Sequence, residues 1–188
     1  IMKEELGDSY DKDREIASLK KELENKNLPD KVREKLEYEI KRYESASPNS
    51  GEIGMIKTYI DTVLSLPWNT YTEDNTDIEE ARKMLDKTHY GLEEAKERVL
   101  EYLALNKMTK GLNNPIICFI GPPGVGKTTF AKSIAEATGK KYTKISVGGI
   151  NDEAEIVGHR RAYIGSAPGK IIEGLKKAGS SNPVFVID

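Results

Sequence analysis

The sequence has one cysteine, Cys118, so it forms no internal disulfide, and a reducing compartment is the expected setting. It has no apolar run near the roughly 20 residues that a membrane helix needs, and no leader pattern at its start. Neither charge is in excess: 29 Lys and Arg stand against 31 Asp and Glu, a formal net charge of −2. That balance excludes a global basic field for DNA or RNA and a polybasic membrane anchor. Internal repeats are absent, and aromatic residues make up only 7% of the chain. What remains is a length of 188 residues, enough for one domain and a fragment of another. Charged residues make up 32% of it, against about 25% in average globular proteins.

That charge is unevenly spread. From Ile1 to about Ser47 roughly half of the residues are charged, and the apolar ones keep helical spacing. Ile16, Leu19 and Leu23 fall at i, i+3 and i+7; Val32, Leu36, Ile40 and Tyr43 follow at i, i+4, i+8 and i+11. Leu28-Pro29-Asp30 breaks the pattern, with Pro29 placed where a second helix begins. The expectation is an αα-hairpin or coiled-coil-like arm with a narrow apolar stripe. Its charged faces are either simply solvated or a surface that docks on another subunit or a substrate. After the breaker Ser47-Pro48-Asn49-Ser50-Gly51, a more apolar helix carries Ile53, Ile56, Ile60, Val63 and Leu64, and Pro67 ends it. Trp68, the only tryptophan, reads as a packing anchor.

Thr70 to Asn75 reads as a linker, and Thr76-Asp77-Ile78-Glu79 as a capping box with Thr76 at the cap. A short helix with Ile78, Ala81, Met84 and Leu85 follows. Then comes the interruption His89-Tyr90-Gly91 and a helix from Leu92 to about Lys110, with Leu92, Ala95, Val99 and Leu103 inward. After Gly111 the rhythm changes. Ile116 to Ile120 is a continuous apolar run, as expected for a strand covered on both faces. Helices over Phe130 to Ala137 and Lys170 to Ala178 alternate with strands at Lys141 to Val147 and Pro183 to Ile187. This order predicts a parallel sheet of the α/β class.

Gly121-Pro122-Pro123-Gly124-Val125-Gly126-Lys127-Thr128 matches G-x-x-x-x-G-K-[ST] in full, between the apolar run and a helix. Such a loop wraps a polyphosphate with backbone N–H groups at the positive end of a helix. Pro122 and Pro123 have no N–H and stiffen the entrance, so the cradle falls to the amides of Gly124 through Thr129. Gly124 and Gly126 allow close approach and positive φ. Lys127 supplies an ammonium for the terminal phosphates, and the Thr128 hydroxyl is a Mg²⁺ ligand. The metal-side acid is Asp188, which ends the apolar run Val184 to Ile187 about sixty residues downstream.

These residues, with Leu64-Ser-Leu-Pro-Trp-Asn69, His89-Tyr-Gly-Leu92 and the block from Ser146 to Gly169, resemble the ATP-dependent Lon proteases, AAA+ enzymes, over nearly the whole chain. The resemblance implies an incomplete α/β P-loop (AAA+) parallel sheet at 69–188, truncated at the metal-side acid. An all-α helical arm at 1–68, the end of an N-terminal region, precedes it. It implies a cytoplasmic, bacterial-type homohexamer, or one in the mitochondrial matrix or another organelle, acting in protein quality control and stress response. Such a ring uses ATP and Mg²⁺ to unfold damaged or regulatory proteins and thread them into a serine protease chamber with a Ser-Lys dyad. Tyr90 and Gly91 match the stretch on the adenine side, and Tyr163 and Ile164 the pore loop that grips the substrate. Val157, Ala162 and Ala167 depart from the family's usual residues around that loop. No Ser-Lys dyad is assigned, and the base that polarises the attacking water normally lies after the acid. The chain is therefore expected to be one section of an ATP-dependent protease, inactive alone, with no membrane partner. Two other readings stay open: a AAA+ motor on nucleic acid, which the charge balance does not favour, and a non-catalytic interaction module, which intact Lys127 and Thr128 argue against.

Overall fold

Apolar residues three and four positions apart put one stripe on each of the first helices, and these stripes meet. The computed structural model describes residues 2–47, 50–75, 77–109, 116–160 and 166–188. It places α1 at Met2–Asn25, α2 at Asp30–Ser45 and α3 at Gly51–Ser65. The chain divides into two compact units, residues 1–70 with 150–176, and residues 71–149 with 177–188.

In the first unit Ile16, Leu19 and Leu23 of α1 join Leu36, Ile40 and Tyr43 of α2 and Ile56, Ile60 and Leu64 of α3 in one buried core. Each such aliphatic side chain contributes about 1.5–3 kcal/mol on leaving water, which offsets the ordering of the charged faces. Trp68 packs against this core, and its indole N–H donates to the Val63 carbonyl at 2.7 Å, so it is the packing anchor that was expected. Polar ties lock the helices together. The Tyr43 hydroxyl donates to Glu15 Oε2 at 2.5 Å, and Lys57 pairs with the same carboxylate. Not every charge of α2 lies on a solvated face. Glu39 is fully buried, held by Lys35 at 3.0 Å and Arg42 at 3.2 Å, because an unpaired buried charge would be strongly destabilising.

The same unit includes residues 150–176, with the short helix α7 (Ala154–Val157) and most of α8 (Lys170–Ala178). The sequence gives no periodic signal for α7, since four residues are too few to show one. Gly158 and Pro168 form an antiparallel bridge, and the His159 N–H donates to the Ala167 carbonyl at 3.2 Å. The close approach needs glycine. A Cβ on Gly169 would fall against the Ile156 carbonyl, and Gly158 sits at φ +102°.

In the second unit α4 (Ile78–Thr88) packs on α5 (Glu93–Thr109) and on α6 (Lys127–Ala137). The capping assignment needs correction. Asp77 is the N-cap residue of α4, and its carboxylate accepts from the Glu79 N–H at 2.9 Å and the Glu80 N–H at 3.1 Å; Thr76 lies outside the described residues. A carboxylate that reaches two free amides at once is a stronger cap than a hydroxyl that reaches one. Leu92 also differs from expectation: it precedes α5 in a left-handed conformation (φ +58°) and is exposed, because the turn after Gly91 directs it away from the apolar face. Ala81, Leu85, Val99, Leu100, Phe130, Ile134 and Ala137 form the core.

Strands β1 (Tyr142–Ile145) and β2 (Val184–Ile187) pair in parallel, with Tyr142 opposite Val184 and Ile145 opposite Ile187. The ladder continues past β2: the Asp188 N–H donates to the Ile145 carbonyl at 3.0 Å, and the Asp188 carbonyl accepts from the Val147 N–H at 2.6 Å. The parallel sheet of the α/β class is therefore present, as two strands among the described residues. The run 116–120 departs from expectation. It is not part of a strand, and it alternates: Ile117 and Phe119 are half-buried, whereas Ile116, Cys118 and Ile120 are exposed. Phe119 reaches the α6 core through an edge-on contact with Phe130, ring centroids 5.4 Å apart, while the opposite face of the run is uncovered. Among the described residues no helix is long and apolar enough to cross a membrane.

Candidate functional site

The local sequence dictates the shape of the loop ahead of α6. Gly126 caps the helix at φ +90° and Gly124 sits at φ +81°, both in the left-handed region that glycine reaches without steric penalty. The first helical hydrogen bond runs from the Phe130 N–H to the Gly126 carbonyl at 2.8 Å. The amides of Lys127, Thr128 and Thr129 are therefore among those that an α-helix leaves without an intrahelical partner at its N-terminus. Together with the helix dipole they make a positive, anion-facing cradle. Gly121, Pro122, Pro123, Gly124 and Val125 are exposed.

Lys127 folds back over this loop and donates to the carbonyls of Gly121 at 2.8 Å and Pro122 at 2.7 Å. On the inner side, Thr128 Oγ1 donates to Asp188 Oδ2 at 3.3 Å. Two residues sixty positions apart in sequence thus converge, as the α6 N-terminus meets the end of β2. Asp188 also pairs with Lys144 of β1. The Lys144 ammonium, mainly by its hydrogen bond and then by its charge, holds the Asp188 carboxyl below the usual carboxylate range, and Thr128 and Lys127 add to this. The Lys144 ammonium is raised in turn by the same hydrogen bond. Asp188 is therefore ionised at neutral pH, as a cation ligand must be.

A hydroxyl and a carboxylate are hard oxygen donors, which suits Mg²⁺. Among the described residues there is no group of three or more His, Cys, Asp or Glu that would hold a metal alone. The pair therefore fits the usual Mg²⁺ arrangement, in which one or two protein oxygens share the ion with waters and a bound phosphate. Lys127, Thr128 and Asp188 also border a cavity of about 980 Å³. Its walls are largely apolar, running along Ile117, Phe119, Val184 and Val186. It lies between the run 116–120 and β2.

The other predicted residues are placed less closely. Tyr90 is fully exposed and Gly91 turns at φ +70°. It is His89, just before them, that reaches the first turn of α6, with Nε2 3.3 Å from Thr129 Oγ1 and its ring edge-on to Phe130 at 5.1 Å. Tyr163 and Ile164 lie outside the described residues. Sequence reasoning missed Lys144 and His89. Lys144 had a faint signal as the charged member of an alternating strand, but only strand pairing reveals that it faces Asp188. His89 stood inside a recognised motif in which only its two neighbours were given roles.

Comparison with known proteins agrees with this geometry. Residues 117–188 match the ATPase family associated with various cellular activities (AAA). The whole chain is 50% identical over 187 residues to Lon protease of Brevibacillus choshinensis and to Lon protease 1 of Bacillus subtilis (strain 168), covering 24% of each. It is 49% identical over 191 residues to Lon protease 2 of Thermus thermophilus, with 94% of this chain and 23% of that protein covered. The chain thus spans about a quarter of the length of the curated relatives it matches. At 50% identity over its whole length the chain is thus similar to Lon proteases, and its residues 117–188 match the AAA family.

Proposed function

We propose that this chain is the nucleotide-binding section of an ATP-dependent serine protease, in which ATP hydrolysis drives the unfolding and threading of protein substrates. The observation that carries this reading is the convergence of Thr128 and Asp188 beneath a loop whose free amides and Lys127 ammonium suit a polyphosphate. The loop from Gly121 to Thr128 binds the phosphates, and Tyr90 and Gly91 border the base. Thr128 and Asp188 would hold Mg²⁺, which would neutralise phosphate charge. The ring is a homohexamer in a bacterial-type cytoplasm, acting on damaged or regulatory proteins. The net charge of −2 gives a nucleic-acid motor no support.

A titration of this chain with ATP and ADP, with Mg²⁺ and with EDTA, tests the assignment. Binding is expected to be weak, stronger with Mg²⁺, and lost in Lys127→Ala; affinity indifferent to both changes would remove the phosphate-loop assignment. The chain alone is expected to hydrolyse neither ATP nor peptide, because it spans only a quarter of its relatives' length. Sustained turnover by a contaminant-free sample would sink that expectation.

The substrate grip is assigned to Tyr163 and Ile164. An aromatic–aliphatic pair on a glycine-flanked loop grips any extended backbone through side-chain contact, independent of sequence. Tyr163→Ala in the full-length protease is expected to retain ATPase activity and lose unfolding of folded substrates. Unfolding at the normal rate would show the pore-loop assignment to be wrong.

A further inference from the structure

The Gly126–Lys127 peptide decides where the phosphate cradle points. Its carbonyl and its N–H face opposite ways, so fixing the Gly126 carbonyl toward α6 turns the Lys127 N–H toward the loop mouth. That carbonyl accepts two bonds at 2.8 Å, one from the Phe130 N–H and one from Thr129 Oγ1. The second is the weaker link, because a threonine hydroxyl rotates unless something holds it.

His89 is that support. Its Nε2 lies 3.3 Å from Thr129 Oγ1. With the Thr129 hydroxyl proton on the Gly126 carbonyl, Nε2–H is assigned as the donor in this contact, and Nδ1 then accepts from the Thr88 hydroxyl, which also lies 3.0 Å from the Met84 carbonyl and 3.2 Å from the Leu85 carbonyl. The imidazole is itself held on three sides. Its backbone N–H bonds to the Leu85 carbonyl at 3.0 Å at the end of α4, its Nδ1 faces the Thr88 hydroxyl at 3.1 Å, and its ring packs edge-on against Phe130. The fit around Gly126 is close, since a Cβ there would sit 3.1 Å from Thr129 Oγ1 and 3.9 Å from His89 Nε2.

We propose that His89 is a positioning residue of the phosphate loop. Through its Nε2–H bond to Thr129 Oγ1 it fixes the Gly126 carbonyl and thereby aims the Lys127 amide at a bound phosphate. The role rests on the reading of this loop as a nucleotide site, but its effect on the loop exists without nucleotide. It also connects the turn bearing Tyr90 and Gly91 to the phosphate cradle, so base and phosphate are read by one hydrogen-bonded unit.

Two variants separate the bond from mere packing. His89→Phe keeps a ring against Phe130 and removes the donor; His89→Gln keeps an N–H donor at similar reach and removes the ring. Amide hydrogen exchange at Phe130, whose N–H bonds to the Gly126 carbonyl, is measured on this chain without nucleotide, and ADP affinity is measured with Mg²⁺. His89→Phe is expected to speed exchange at the Phe130 amide and to weaken ADP by about five- to tenfold, the loss of one net hydrogen bond. His89→Gln is expected to stay within about twofold of the native chain on both readouts. Native exchange in His89→Phe, or equal damage from both variants, would overturn the positioning role. If the native chain binds no ADP while His89→Phe still speeds exchange, the nucleotide reading fails and the loop contact stands. Should His89→Phe not fold, Thr129→Val removes the acceptor instead and is expected to speed exchange at the Phe130 amide; unchanged exchange there overturns the proposal equally.

Discussion

Lys127→Ala is expected to abolish ATP-driven degradation of folded substrates in the full-length protease. Lys127 is tethered by the Gly121 and Pro122 carbonyls, which keep its ammonium above the cradle. Those acceptors are neutral. Phosphate oxygens are charged, and charge-assisted bonds are roughly twice as strong as neutral ones, so a phosphate displaces the carbonyls. Alanine removes about two such bonds, each worth roughly 1.5–3 kcal/mol, which corresponds to a loss on the order of 10²- to 10⁴-fold in nucleotide affinity. At cellular nucleotide levels a loss of that size leaves the site largely empty, and motor function stops. Lys127→Arg is not expected to rescue it, because a planar fork does not reproduce a compact ammonium on a flexible stem. Normal degradation of a folded substrate by Lys127→Ala would remove the role given to this residue.

How far the sequence anticipates this site depends on whether a feature is local. The phosphate loop is contiguous, and each of its residues has a reason within eight positions; Gly124 and Gly126 take the positive φ that the motif requires. The helices of the arm are equally readable, because Leu36, Ile40 and Tyr43 recur at the helical period and become the buried stripe. Asp188 was reachable because an acid ending an apolar run has a meaning once a phosphate loop is present. Lys144 was not, since its proximity to Asp188 exists only through the β1–β2 register. His89 reaches Thr129 across forty positions, a contact that no periodicity encodes. The run 116–120 misled for a related reason: composition reports that a segment is apolar, but the number of faces covered depends on what packs against it. Only Ile117 and Phe119 turn toward neighbours here. Leu92 and the Asp77 cap show the limits at helix ends, where a shift of one residue reverses which side chain is inward or which oxygen reaches the free amides.

The second large effect falls on stability, and it joins the core to the site. Phe130→Ala is expected to destabilise the second unit by about 3–5 kcal/mol, the range for emptying a buried phenylalanine site. Phe130 is the one aromatic among the buried residues of that core, which otherwise consists of alanine, valine, leucine and isoleucine. Its ring is met edge-on by both His89, at 5.1 Å and 84°, and Phe119, at 5.4 Å and 82°. Each such aromatic contact adds about 0.5–1.5 kcal/mol beyond area burial, and alanine loses both. Against a typical domain stability of about 5–15 kcal/mol, this is a large fraction of the total. Two probes report separately. Trp68 packs on the first core, which shares no residue with the second, so its fluorescence transition is expected to stay in place. Amide protection across α6 is expected to collapse. Because Phe130 follows Thr129 directly and carries His89 on its ring, nucleotide affinity is expected to fall with that protection. Phe130→Leu, which refills much of the volume, is expected to recover most of the stability but not the edge-on seat for His89. Protection in α6 that survives Phe130→Ala would mean that this core is held by something other than the ring at its centre.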